Sequence, residues 1–179
     1  MQNKINIVVT GSTLGIGFAT VKALAKSDKA YNIFVTSRKQ ANAEAAIEKL
    51  VEQLPDTNST FNALEIDLGN KESVDAFVAN LVEKDIQLDV LMNNAGINGF
   101  EEAKKTKEGR DRILTVNYTK TRYPTEKMLG HNRIKENGKI INIGSLTAVS
   151  LVSTLSCTQN SSSAFSIGRA GATRISKTC

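Results

Sequence analysis

Gly11, Gly15 and Gly17 stand in the spacing G-x-x-x-G-x-G directly after the apolar, β-branched run Ile5-Asn6-Ile7-Val8-Val9-Thr10. Phe18, Val21, Leu24 and Ala25 then repeat at helical spacing, so the stretch reads as strand, tight turn and helix. That order of elements can hold a phosphate. Gly11 can turn the chain sharply, Gly15 lets main-chain N–H groups approach a pyrophosphate with no Cβ in the way, and Gly17 lets the helix pack close on the strand. Ser12, Thr13, Leu14 and Ile16 complete the turn. The helix N-terminus behind it presents free N–H groups and a partial positive charge to an anion.

A second residue refines the ligand. Arg38 ends the next strand-like run, Tyr31-Asn32-Ile33-Phe34-Val35-Thr36-Ser37, 21 residues beyond Gly17. A dinucleotide fold reads the adenosine ribose there. An acidic side chain would accept from a free 2′-hydroxyl, whereas an arginine suits a 2′-phosphate, so Arg38 favours NADP over NAD.

The elements that must position these groups alternate along the chain. Ala41 to Leu54 is alanine-rich, helical in period and closed by Pro55. Phe61 to Ile66 reads as a third strand leading to Asp67-Leu68, and Lys71 to Lys84 as an amphipathic helix with Val74, Phe77, Val78, Leu81 and Val82 on one face. Leu88 to Met92 is a fourth strand that breaks at Asn93-Asn94-Ala95-Gly96. A long helix over roughly Glu108 to Leu129 and a fifth strand over Gly138 to Ser145 follow. Such alternation predicts an α/β, Rossmann-type doubly wound parallel sheet of about five strands, ordered 3-2-1-4-5, with the fifth at an edge.

Composition narrows the class. With 179 residues, 40% hydrophobic and 23% charged, the chain suits a single domain spanning 1–179 with a real core. Strand-like sequence begins by Ile5, which leaves no room for a leader, and no apolar run approaches membrane-spanning length. The expectation is a cytoplasmic protein without membrane contact. Cys157 and Cys179 are late and unpatterned, which suits reduced thiols, and no metal site is expected. The net charge of +5 is spread over helical segments, and the dense cluster Lys104-Lys105-Thr106-Lys107 follows Glu101-Glu102. It reads as a solvated face, so no nucleic acid is expected, and a basic surface suits an anionic cofactor. His131 has no paired nucleophile, which argues against a serine–histidine hydrolase.

Together, Thr10 to Gly17, Ser37-Arg38, Asp67-Leu68, Leu88 to Gly96, Val116-Asn117 and Gly138 to Ser145 resemble the short-chain dehydrogenase/reductase superfamily, most of all its monomeric NADPH-dependent carbonyl reductases. The resemblance implies hydride transfer between NADP(H) and a small-molecule carbonyl compound, in a monomer rather than a dimer. It also implies that Asp67 and Leu68 flank the adenine, and that Asn94, Ala95 and Gly96 line the adenosine ribose and support the central strand. Asn117 would belong to the active-site hydrogen-bond relay, and Ser145 would orient the substrate carbonyl.

The tail departs from the family. A Tyr-x-x-x-Lys pair normally gives the proton and holds the nicotinamide ribose, the lysine also lowering the tyrosine pKa. In the segment Ser163 to Thr173, which resembles the family's in spacing, Phe165 stands at the tyrosine position and Arg169 at the lysine position. Phenylalanine can donate no proton, and loss of a general acid costs on the order of 10²–10⁴ in rate. Residues 146–164, rich in serine and threonine, read as a loop in place of the carbonyl reductases' helical insertion. The family's later strands and substrate-covering segment have no counterpart before Cys179, as in a C-terminally truncated member. The expectation is weak or absent turnover, with a non-catalytic NADP-binding or interaction module as the alternative.

Overall fold

The computed structural model describes residues 4–97 and 115–144. Five parallel strands form one sheet: β1 (Ile5–Val9), β2 (Tyr31–Ser37), β3 (Thr60–Glu65), β4 (Leu88–Asn93) and β5 (Ile134–Asn142), in the order β3-β2-β1-β4-β5. Helices α1 (Gly15–Ala25), α2 (Gln40–Gln53) and α3 (Lys71–Glu83) fill the first crossovers, and α4 (Lys120–Gly130) precedes β5. The register sets Ile7 opposite Ile33 and Val8 opposite Leu91, so the apolar runs of β1, β2 and β4 lie side by side.

Both faces of the sheet are covered, which is why these strands read as continuous apolar runs. Successive side chains point to opposite faces. Ile7, Val9, Ile33 and Val35 pack with Val21 and Ala25 of α1 and Ala43, Ala46 and Leu50 of α2. Val8, Phe34 and Leu91 pack on the other face with Val74, Phe77, Val78 and Leu81 of α3 and Met128 of α4. Val82, expected on that face, is 43% exposed instead. Its place on the helix lies one step past Leu81, beyond the stripe the sheet can cover.

Helix α3 starts under the cap of Asn70, whose Oδ1 accepts from the N–H groups of Glu72 and Ser73 at 3.0 and 3.4 Å. Two residues past its end Asp85, and two past the end of α4 Asn132, lie in the left-handed region with φ of 47° and 53°. After each, an amide reaches back to the helix (Ile86 N–H to Leu81 O, 2.8 Å; Arg133 N–H to Met128 O, 2.7 Å) and aims the chain into the next strand.

Two expected boundaries change. Strand β5 begins at Ile134, ahead of Gly138: Leu88 faces Ile134 and Val90 faces Lys139, with a bulge between. Lys135-Glu136-Asn137 breaks the apolar pattern there. A Cβ on Gly138 would lie 2.8 Å from Ile134 Cγ2 and 2.9 Å from the Lys135 carbonyl, so the bulge admits little but glycine. The long helix read over Glu108 to Leu129 is described only from residue 115. The described part starts with a wide π-type turn, Thr115–Thr119, ahead of α4. Pro124, which has no N–H to give, lies within α4 shortly after that turn.

Candidate functional site

The sheet order reverses between β1 and β4, and the groups at the carboxyl ends of these strands are locked together there. Thr10 Oγ1 accepts from the N–H groups of Asn94 (2.9 Å) and Ala95 (3.0 Å) and lies 3.3 Å from the Met92 carbonyl, to which it donates. The Asn94 amide returns the contact, donating from Nδ2 to the Thr10 and Gly11 carbonyls at 2.9 and 3.1 Å. The first turn and the exit of β4 therefore hold one another's shape.

On the other side the turn is tied to β2. Gly11 N–H donates to Thr36 Oγ1 at 3.2 Å, and the Thr36 hydroxyl donates to the Val9 carbonyl at 3.1 Å. Ser12, expected among the cofactor-binding residues, is fully buried; its N–H donates to Thr36 O at 3.2 Å and its Oγ accepts from Thr36 N–H at 2.8 Å. Ser12 anchors the turn. The mouth is formed by Thr13, by Leu14 and Ile16, which are 79% and 66% exposed, and by Gly15, with φ +55° and open space where a side chain would project.

Helix α1 starts without a cap. Leu14 sits at the capping position in an extended conformation, no side chain accepts from the first N–H groups, and the first turn contains no acidic residue. Those donors and the helix dipole suit an anionic group supplied from outside the chain. Gly17 is forced by packing: a Cβ there would run into the Gly11 carbonyl oxygen and lie 2.6 Å from Asn94 Nδ2 and 2.9 Å from Ser12 Cα.

Arg38 is exposed where β2 gives way to α2, one residue before the uncapped Lys39 position. Asp67 lies past the end of β3. Its N–H donates to Ser73 Oγ at 2.9 Å and its Oδ1 accepts from Gly69 N–H at 2.7 Å, while Leu68 is buried. Asn117 lies in the π turn and grips the chain beyond β4: Oδ1 accepts from Ile97 N–H at 2.8 Å and Nδ2 donates to Ile97 O at 2.9 Å. Gly96 gives it room, since an added Cβ would lie 3.1 Å from Asn117 Oδ1. The turn, Arg38, Asp67-Leu68, Asn94 to Gly96 and Asn117 all follow the carboxyl ends of strands. Ser145, Phe165, Arg169, the 146–164 stretch and the 104–107 cluster lie outside the described residues.

Several residues of the site were given no role of their own by the sequence. Asn93 is buried, and its Nδ2 donates to Asn142 Oδ1 (2.9 Å) and Thr125 Oγ1 (3.1 Å), joining β4, β5 and α4. Ile143 N–H donates to Asn93 O at 2.9 Å, which sets the direction of the chain entering Gly144. Thr10 and Thr36 are likewise buried hydroxyls at strand ends. A polar residue closing an apolar strand was the available signal in each case; its partner across the sheet was not.

An open parallel sheet with helices on both faces, a reversal of strand order, and a glycine turn at that reversal define a Rossmann-type dinucleotide-binding architecture. A profile of the family described as short chain dehydrogenase matches residues 5–165, and the chain belongs to that family. Short-chain dehydrogenase/reductase tropE of Talaromyces stipitatus is 32% identical over 119 residues, covering 66% of this chain and 45% of that protein. Mouse dehydrogenase/reductase SDR family member 4 is 26% identical over 148 residues, covering 82% of this chain and 50% of that protein. Among solved structures, the angucycline C-6 ketoreductase LanV with bound NADP matches at a TM-score of 0.63 and 26% identity, over 79% of this chain and 55% of that one. The chain thus spans half or less of the two curated relatives' lengths.

Proposed function

We propose that the chain binds NADP(H) and belongs to an oxidoreductase that resembles the NADPH-dependent carbonyl reductases, transferring hydride between NADP(H) and a ketone, aldehyde or alcohol. The observation that carries the reading is the uncapped, acid-free start of α1 behind a glycine turn that Thr10 and Asn94 hold rigid. Its open surface at Gly15 fits a diphosphate, and the exposed Arg38 fits a 2′-phosphate. The LanV structure, solved with NADP, supports that choice of coenzyme.

The coenzyme, when bound, supplies the hydride. The chain's own groups do the rest. The main chain of residues 13–17 receives the diphosphate, Arg38 the 2′-phosphate, Asp67 and Leu68 the adenine, and Asn94, Ala95 and Gly96 the adenosine ribose. Ser145 orients the carbonyl oxygen. Asn117, whose side-chain amide is engaged with Ile97, serves the relay by fixing the chain beyond β4. The acceptor is a small molecule, and the protein works as a cytoplasmic monomer; among the described residues no helix is long and apolar enough to cross a membrane.

Phe165 and Arg169 favour a second reading, an NADP-binding module that turns over slowly or not at all. Phe165 has no proton for the alkoxide that hydride addition creates, and Arg169 brings a planar, bulkier cation to the lysine position. Assaying NADPH oxidation with aryl ketones and quinones separates the two. Turnover rising by roughly 10²-fold or more in the double variant Phe165→Tyr, Arg169→Lys assigns the deficit to the missing acid. Unchanged turnover in that variant contradicts the assignment, and turnover already normal in the unsubstituted chain contradicts the impairment.

A further inference from the structure

The ties that ring the strand ends continue past the groups already placed. Asn94 joins the first turn to the exit of β4, and Asn117 joins that exit to the π turn ahead of α4. Three residues after Asn117, the partly buried Lys120 donates from Nζ to the Gly69 carbonyl oxygen at 2.7 Å, in the loop between β3 and α3. We propose that Lys120 is a positioning residue for the adenosine half of the coenzyme, closing this ring on its β3 side; the proposal rests on the dinucleotide reading above.

The loop's internal bonds fix its shape rather than its place. Asp67 Oδ1 holds Gly69 N–H, Asp67 O accepts from Asn70 N–H at 3.0 Å, and Asn70 caps α3. Ile66 N–H, bonded to Ser37 O at 2.8 Å, ties its start to β2. Its far side faces α4, where Lys120 reaches it. Gly69 is tied to Asp67 by its N–H, and lies so close to that carboxylate that a Cβ on it would stand 3.0 Å from Asp67 Oδ1. A pull on the Gly69 carbonyl therefore acts on the Asp67 carboxylate through one residue.

The π turn is what lets one short segment reach both ways. In an α-helix residues three apart are neighbours on one face. The wider turn rotates each successive side chain by a smaller angle, so Asn117 is fanned toward β4 and Lys120 toward the β3 loop. The stem of a lysine also has the length to span the gap with its charge at the tip. Lys120 thus couples the loop assigned to the adenine with the segment assigned to the relay.

The test uses the full chain with Lys120→Met and Lys120→Arg. Hydrogen exchange of the Gly69 and Asn70 amides is measured without ligand, and affinity is measured for 2′,5′-ADP and for NADPH. Lys120→Met is expected to speed exchange at these amides and to weaken 2′,5′-ADP by about five-fold, the range of a partly exposed charged hydrogen bond. Lys120→Arg, which keeps a cationic donor of similar reach, is expected to restore both. Wild-type exchange and affinity in Lys120→Met, or equal loss in both variants, overturns the role of Lys120 while leaving coenzyme binding intact. If the unsubstituted chain binds neither 2′,5′-ADP nor NADPH, the dinucleotide reading itself has failed, and the adenosine role falls with it.

Discussion

Gly17→Ala should be far more damaging than Gly15→Ala, although both replace a glycine of the same motif. At Gly17 the new methyl would meet the Gly11 carbonyl, Asn94 Nδ2 at 2.6 Å and Ser12 Cα at 2.9 Å. Two of these are main-chain atoms, pinned by the bonds from Asn94 and to Thr36, and cannot turn aside. Overpacking at such a site costs about 3 kcal/mol, the upper end of the usual range, and displacing the Asn94–Gly11 hydrogen bond about 1 more. The helix propensity of alanine returns about 1, for a net loss of about 3 kcal/mol. For a domain of this size that is a fall in melting temperature of roughly 6–12 °C. At Gly15 nothing lies within 4 Å, and the cost is confined to the φ of +55°. That strain, about 1–2 kcal/mol less the roughly 0.4–1 that alanine gains by restricting the unfolded chain, lowers the melting temperature by less than about 6 °C. Thermal unfolding followed by circular dichroism measures both. Equal shifts, or a Gly17→Ala protein that melts with the wild type, would refute the interlock of the turn with Asn94.

Other outcomes follow from the same geometry. Arg38→Ala is expected to weaken NADPH about ten-fold and leave NADH unchanged in equilibrium titration, because only the former carries the 2′-phosphate; equal effects on both contradict the role of Arg38. At the opposite ends of the strands, Asn32 donates to Asn6 Oδ1 (2.9 Å) and accepts from Thr60 Oγ1 (3.1 Å) and Asn62 Nδ2 (2.6 Å). Asn32→Ala should cost about 1–3 kcal/mol in denaturant unfolding without altering coenzyme affinity, and a change in affinity would tell against the assignment of the site to the carboxyl ends. The carboxyl of Asp75 is held below its ordinary 3.8 by the Tyr123 hydroxyl first and then by Lys127, whose own pKa is raised above 10.5 chiefly by Asp75. What the cluster contributes is thus present at neutral pH, is lost on the acid side as pH falls through the depressed Asp75 value below 3.8, and on the alkaline side as pH rises through the raised Lys127 value above 10.5. An NMR titration should find the Asp75 midpoint below 3.8 and moving upward in Tyr123→Phe; an unmoved midpoint would show that the hydroxyl is not the main cause.

The order of elements was legible because the strands of this sheet are buried on both faces and the helices on one. Ile7, Val8, Val9 and Ile33, Phe34, Val35 announce strands whichever face each side chain takes, and Val74, Phe77, Val78 and Leu81 repeat at helical spacing. The glycine turn after β1 was legible for a local reason, since glycine types and spacing carry its geometry. What stayed hidden depends on partners distant in sequence. Thr10 and Asn94 are 84 residues apart, and Asn93 and Asn142 are 49 apart. The β5 bulge was hidden because Lys135-Glu136-Asn137 looks like a turn until Leu88 is set opposite Ile134. Lys120 resembled any exposed helix lysine, and only the π turn gives it a direction. Ser12 was legible as part of the motif, but its inward orientation was not, because Thr36 supplies both of its partners from another strand.

Calorimetric titration of the folded chain with NADPH and, separately, NADH tests the central claim most directly. The account predicts saturable binding of NADPH, tighter than that of NADH, with heat that disappears in Gly17→Ala. Failure of both coenzymes to bind at millimolar concentration, in a sample with a cooperative melt, would contradict it.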